Sequence, residues 1–381
     1  MKQYEHNESG LVSIFSVIFF MIFMSVIVVG FIRIMGDEVR QTTDNDLTAS
    51  ALVSAQSGAE EGKRILLYCM SAGLSAPERA RCDRALNSSE CDTAIEEFRS
   101  VPGVGLNVDN PEPGVYEGIV STQSDYQQRY TCLSIIPDTE TVEEINIPDG
   151  SSRLIPLTAT GAFNQVTFSW HNKDPSRDGV ATLGVPRYNS SKQEWNVANL
   201  PAMMRLQFIP YPKTGAINLD TLETASRTVF VGPSGNSTVT SESLASNDPR
   251  RPDPNNRAAS NTLISGCDSN EQYLCSITLT FDGSLPDTSS NNYMLRVTSY
   301  YRGAHVRLSL ANSGTTVNFD NVQPLIDVTG RTNDVFRRIQ TRVAFEGDYF
   351  MSQYGLSSGS DICKQMTITN DLATSRNNCP N

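Results

Sequence analysis

Gly355-Leu356-Ser357-Ser358-Gly359 has the G-x-S-x-G spacing of a nucleophile elbow, a strained turn that presents a serine hydroxyl to an acyl carbonyl. In the α/β-hydrolase fold that uses this turn, the histidine base follows the serine. Here the three histidines, His6, His171 and His305, all precede it. The Gly-Ser run also lies beyond the last clear strand pattern, so it reads as a loop, and no catalytic residue is expected. The same histidines are far apart in the chain, which leaves no His cluster on which to build a metal centre. Asp282, Ser284, Asp287 and Asn291 carry the short oxygen side chains that Ca²⁺ takes, but their spacing is not that of an EF-hand and Pro286 favours a turn. Gly103-Val104-Gly105 lacks the further glycine and the strand-to-helix setting of a phosphate loop. Neither a metal nor any other cofactor is expected, and the chain does not read as an enzyme.

The eight cysteines are Cys69, Cys82, Cys91, Cys132, Cys267, Cys275, Cys363 and Cys379, and none forms a CxxC pair. An even number at short local spacings favours structural disulfides in an oxidising compartment over a zinc ribbon or a thioredoxin-type centre. Nearest-neighbour spacing suggests Cys82–Cys91, Cys267–Cys275 and Cys363–Cys379, leaving Cys69 with Cys132, although sequence alone does not fix connectivity. The balance of 42 acidic to 30 basic residues repels phosphate backbones, and no basic run exceeds a pair, so nucleic acid is not an expected partner.

The element that must position everything else is at the N-terminus. Leu11 to Ile32 runs for 22 residues without a charge. At about 1.5 Å per residue, that length crosses a hydrocarbon core of about 30 Å. The apolar stretch is longer than a secretory h-region and ends in Phe31-Ile32-Arg33 without a small-x-small cleavage site, so it reads as a retained transmembrane helix over 11–35. Charges flank both ends. Disulfides in the bulk place the residues after 35 on the exterior side of the membrane.

From Asp37 to Tyr68 no proline interrupts the chain, and a helical stalk is expected over 36–76. Ser50, Ser54, Gly58 and Gly62 form one row at spacing four, and Ala51, Ala55 and Ala59 form the next. Two such rows make a smooth stripe that another backbone can approach closely. Each helix-interior glycine costs about 1 kcal/mol relative to alanine, so close packing is required to explain them. The stripe suits a neighbouring helix; packing on the chain's own domain is the alternative.

The segments ESGLVSIFSVIFFMIFMSVIVVGFIRIMGDEV and TASALVSAQSGAEEGKRIL resemble the N-terminal region of PilX-like minor pilins of type IV pili. In that family a leader ending in Gly precedes an uninterrupted apolar helix, and an A-x-x-A-x-x-G-A-E block leads into the head. The resemblance covers about the first 68 residues. It implies a leader over 1–10, cleavage between Gly10 and Leu11, and a second motif at Ala55, Gly58, Ala59 and Glu60. Major pilins carry Glu at the fifth mature position, which here is Phe15, and this departure points to a minor or tip subunit. The implied partners are other pilin subunits, the pilus assembly machinery, a prepilin peptidase and the membrane. The implied location is a single-pass anchor with the bulk outside, then the pilus surface. A signal-anchored adhesin or receptor that never polymerises is the rival reading. The ligand of the head stays open.

Residues 77–101 read as two short helices, with Ser89 as a cap for the second. Beyond Pro102 the period changes to two. Tyr273, Cys275, Ile277, Leu279 and Phe281 alternate with more polar residues, as do Val166, Phe168 and Trp170, and Val306, Leu308 and Leu310. Val335, Ile339, Val343 and Phe345 mark a further strand, and MLRVTSYYRGAHVRLSLAN suggests a hairpin turning near Arg302-Gly303. The expected fold is therefore α+β: a long N-terminal helix, then a mostly antiparallel exterior domain over 102–347 and a C-terminal disulfide loop or tail over 348–381. Loop insertions are expected at 172–200 and 232–262, whose Asn, Ser, Asp and Pro cannot bury a core. One sheet domain or two is left open.

Overall fold

The computed structural model describes residues 9–86, 88, 90–121, 127–172, 191–214, 226–234, 241–244, 262–267, 273–285 and 291–343. The chain begins as a single helix, α1 (Ser9–Cys69), which runs without a break through the apolar span and the stripe. It ends at Cys69, short of the expected stalk boundary, because a turn with Gly73 at φ +91° interrupts the chain before α2 (Ala76–Leu86). Glu78 holds the entry to α2 by accepting hydrogen bonds from the Ser75 backbone N–H (2.7 Å) and hydroxyl (2.6 Å). A third helix, α3 (Thr93–Phe98), has Asp92 at its N-cap with no side-chain capping bond; Ser89 lies outside the described residues.

Three strands follow: β1 (Val108–Glu112), β2 (Val115–Ser121) and β3 (Gln128–Ile136). The chain then builds a second compact unit from the described residues within 140–318, before returning to the first, which comprises the described residues within 1–139 and 319–343. Its described strands are β4 (Thr141–Ile147), β5 (Ser152–Pro156), β6 (Phe163–Asn172), β7 (Met203–Pro212) and β8 (Arg227–Ser234). They continue with β9 (Ser241–Leu244), β10 (Thr262–Gly266), β11 (Cys275–Leu285), β12 (Asn291–Tyr300), β13 (Ala304–Asn312) and β14 (Thr315–Val317). Strands β15 (Leu325–Thr332) and β16 (Val335–Arg342) complete the first unit. The chain is thus a discontinuous first unit with a second one inserted into its sequence.

In the first unit the order β1-β2-β3-β15-β16 is antiparallel throughout. One face carries Tyr130, Leu133, Ile135, Ile326 and Val328, which join Ile65 and Leu66 of α1 and Phe98 of α3 in one core. Two disulfides close it, and they differ from the pairing suggested by spacing: Cys69 bonds Cys82 and Cys91 bonds Cys132, with Cα–Cα distances of 5.6 and 4.8 Å. The last turn of α1 lies beside α2, which brings Cys82 to Cys69. Cys91 lies beside β3, where its carbonyl accepts the Leu133 N–H at 2.6 Å. Nearest-neighbour pairing holds for Cys267–Cys275 but fails at these two bonds, where packing at the helix ends outweighs loop length.

The second unit contains two sheets, β10-β8-β7-β12-β5 and β14-β13-β6-β11-β9, with β4 also paired to β13. Pairing is mostly antiparallel, with parallel exceptions at β8/β10 and β9/β11. Buried Leu206 and Phe208 of β7, Leu295 and Val297 of β12, Val166, Phe168 and Trp170 of β6, and Ile277, Leu279 and Phe281 of β11 form the interior. Phe208 meets Phe281 edge-on at 5.0 Å. Cys267 is bonded to Cys275.

The hairpin expected at Arg302-Gly303 does not form. Strand β12 pairs with β5 and β7, whereas β13 pairs with β4, β6 and β14, so the chain crosses from one sheet to the other at this turn. Two features hold the crossing: Tyr301 at φ +71° reverses the backbone, and its ring stacks on Trp195 at 4.4 Å. Trp195 belongs to α4 (Lys192–Val197), a helix inside the stretch expected to be loop at 172–200. Ser191 and Glu194 form a capping box at its start, and fully buried Trp195 donates its indole N–H to the Pro201 carbonyl. The 232–262 stretch likewise contains the end of β8, all of β9 and the start of β10.

Candidate anchoring and assembly helix

The two halves of α1 meet different surroundings. Along 14–35 every large apolar side chain outside Ile27 is exposed, from Ile14, Phe15 and Ile18 to Phe31, Ile32 and Met35. This is the one helix among the described residues long and apolar enough to cross a membrane, a feature compatible with single-pass anchoring. Exposed apolar surface of this extent requires a cover, because each buried CH₂ is worth about 0.8 kcal/mol. Helix backbone is described at Gly10 and Leu11, while residues 1–8 lie outside the described residues.

The stripe lies against the chain's own first unit. Positions 51, 54, 55, 58, 59, 62, 65 and 66 are buried in helical rhythm, and 52, 53, 56, 60, 63 and 67 are exposed on the opposite face. A β-carbon on Gly58 would lie 2.6 Å from Val328 Cγ1 and 2.8 Å from Tyr130 Cγ; one on Gly62 would lie 2.8 Å from Ile326 Cγ2. Fully buried Ala51 and Ala55 cross Gly330 on β15. Ser54 is buried and donates to the Ser50 carbonyl at 3.0 Å, while the Ser50 hydroxyl accepts from Gln128 Nε2 at 2.6 Å and Thr332 Oγ1 at 3.2 Å. Ala59 completes the second row as a buried residue. Small side chains therefore let a helix lie directly on a sheet, and the packing reason required by Gly58 and Gly62 is intramolecular.

Polar groups in this interface are unevenly satisfied. Glu61 forms an ion pair with Arg64, yet its Oε2 is buried without a hydrogen-bond partner, and burial raises its carboxyl above the ordinary value. The nearby Tyr130 hydroxyl is also buried without a partner, and desolvation holds its pKa far above the usual phenol value. On the other sheet face, buried Glu117 accepts from both Arg129 Nη1 and Arg331 Nη1 at 2.9 Å, and Arg129 also reaches Asp109 at 2.7 Å. Asp327 pairs with Arg338 and accepts from Gln340 Nε2 at 2.6 Å, and the Arg338 hydrogen bond holds its carboxyl below the ordinary range.

Ser357, Cys363 and Cys379 lie outside the described residues, as do the side chains of Asp282, Ser284 and Asp287. Among the described residues no group of three or more His, Cys, Asp or Glu is arranged to hold a metal. The structure nevertheless brings together two histidines that are remote in sequence. His171 and His305 are direct cross-strand partners on β6 and β13, with ring centroids 5.2 Å apart. The signal was present in the alternation of both strands, but it required their register.

No protein-family model, curated protein or solved structure matches this chain.

Proposed function

We propose that this chain is a membrane-anchored minor or tip subunit of a type IV pilus-like filament, structural in role, with its β units facing outward for attachment. The observation that carries the reading is the division of α1: residues 14–35 expose apolar side chains, while 51–66 are built into the folded head. A helix of this design can exchange lipid for neighbouring helices along its free half without disturbing the head, since packing and lipid contact are similar in polarity. Phe15 in place of the carboxylate of the repeating pilins fits a position at or near an end, where one pairing partner is missing.

A second reading, an anchored adhesin that never polymerises, is favoured by the burial of the stripe. With Gly58 and Gly62 occupied by the head's own sheet, they are not free to set the approach of another helix. Fractionation distinguishes the two. Recovery of the subunit in sheared surface filaments with other pilin subunits supports assembly; confinement to the membrane fraction under piliated conditions overturns it and leaves the adhesin.

A further inference from the structure

His171 and His305 face each other across the β6–β13 ladder, where their inward neighbours Trp170 and Val306 are fully buried. Strand alternation therefore turns both imidazoles to the outer side of the sheet, and both are half-buried there. Directly opposed residues have β-carbons about 4.5–5.5 Å apart, which places the two imidazoles, here stacked, within reach of one ion once their rings turn. The rings are 5.2 Å apart and inclined by 29°.

We propose that this pair is a two-histidine site for a late first-row divalent ion, Cu²⁺, Ni²⁺ or Zn²⁺, with water completing the coordination. Imidazole nitrogen suits these metals, whereas Ca²⁺ and Mg²⁺ require oxygen donors. Both strands are interior to their sheet, β6 between β13 and β11 and β13 between β6 and the β4/β14 edge, so the backbone fixes the spacing of the ligands before any ion arrives. Tyr273 packs edge-on against His171 at 4.8 Å and holds that ring. The Arg307 guanidinium lies over the Tyr273 ring at 4.5 Å. His171 Nδ1 is buried without a hydrogen-bond partner among the described residues, so its polarity is unmet until a proton or a metal reaches it.

The test uses the full-length chain in detergent, titrated with Cu²⁺ at neutral pH. Calorimetry gives the stoichiometry, and electron paramagnetic resonance counts coordinated nitrogens. The account expects a site carrying two imidazole nitrogens, lost in His171→Gln and in His305→Gln and retained in His6→Gln. Wild-type spectra with oxygen ligands only, or unchanged binding in the His171→Gln/His305→Gln double variant, would overturn it. The wild-type and His6→Gln spectra together decide the matter even if the His171→Gln or His305→Gln variant fails to fold.

Discussion

Gly330 of β15 lies so close beneath Ala55 of α1 that a β-carbon on it would be 2.2 Å from the Ala55 backbone nitrogen and 2.2 Å from the Ala51 carbonyl oxygen. Both of those atoms are backbone, so neither can move away as a flexible side chain would. Gly330→Ala is therefore expected to destabilise the first unit by at least the ~1–3 kcal/mol typical of overpacking, read as a lower urea midpoint with unchanged slope. A variant as stable as wild type would show that helix and sheet are not in this contact.

Gly58→Leu carries the same argument to the opposite partner, because its side chain would enter the space of Val328 and Tyr130. The expected outcome is a misfolded, protease-sensitive head in a subunit that still inserts through residues 14–35. Normal protease resistance combined with failure to enter filaments would instead return the stripe to a neighbouring subunit.

Trp195 joins the α4 segment to the sheet-to-sheet crossing through its stack on Tyr301 and its bond to Pro201. Trp195→Ala should cost about 3–5 kcal/mol, as for other buried large-to-small changes. Thermal unfolding measures this directly; a loss below about 1 kcal/mol would place the residue outside the core.

Glu61 supplies a pH test. Its carboxyl pKa is raised mainly by burial, with Arg64 opposing, so folding favours the protonated form. The corresponding stability is present below the unfolded-state pKa and is lost as pH rises through the higher folded value. Glu61→Gln should remove that loss and be more stable than wild type near neutral pH. Asp327 acts with the opposite sign: its lowered pKa contributes stability above the unfolded value, lost as pH falls through the folded one. Stability profiles of Glu61→Gln and Asp327→Asn across the acid range separate the two, and a Glu61→Gln profile coincident with wild type contradicts the assignment.

Much of this architecture was legible in the sequence because it rests on local period. The 22-residue apolar run specified the exposed half of α1, and alternation marked β6, β11 and β13. What escaped depends on contacts between distant residues. The β12–β13 turn has hairpin-like chemistry, and only the partner strands show that it changes sheets. The stripe announced close packing, but spacing does not say whether the approaching backbone belongs to a neighbour or, as here, to β15. Cys69 and Cys82 lie either side of a helix-ending turn, where packing outweighs the count of intervening residues. α4 was hidden because one buried tryptophan in a polar stretch carries too little period to reveal a six-residue helix.

The central claim, that α1 anchors the chain and is delivered into a filament, is tested most directly by the N-terminal sequence of the mature protein from membranes and from sheared surface material. The account predicts a start at Leu11 in the sheared fraction, the product of processing after Gly10. An intact Met1, recovered only from membranes, would contradict it and leave an anchored protein that does not assemble.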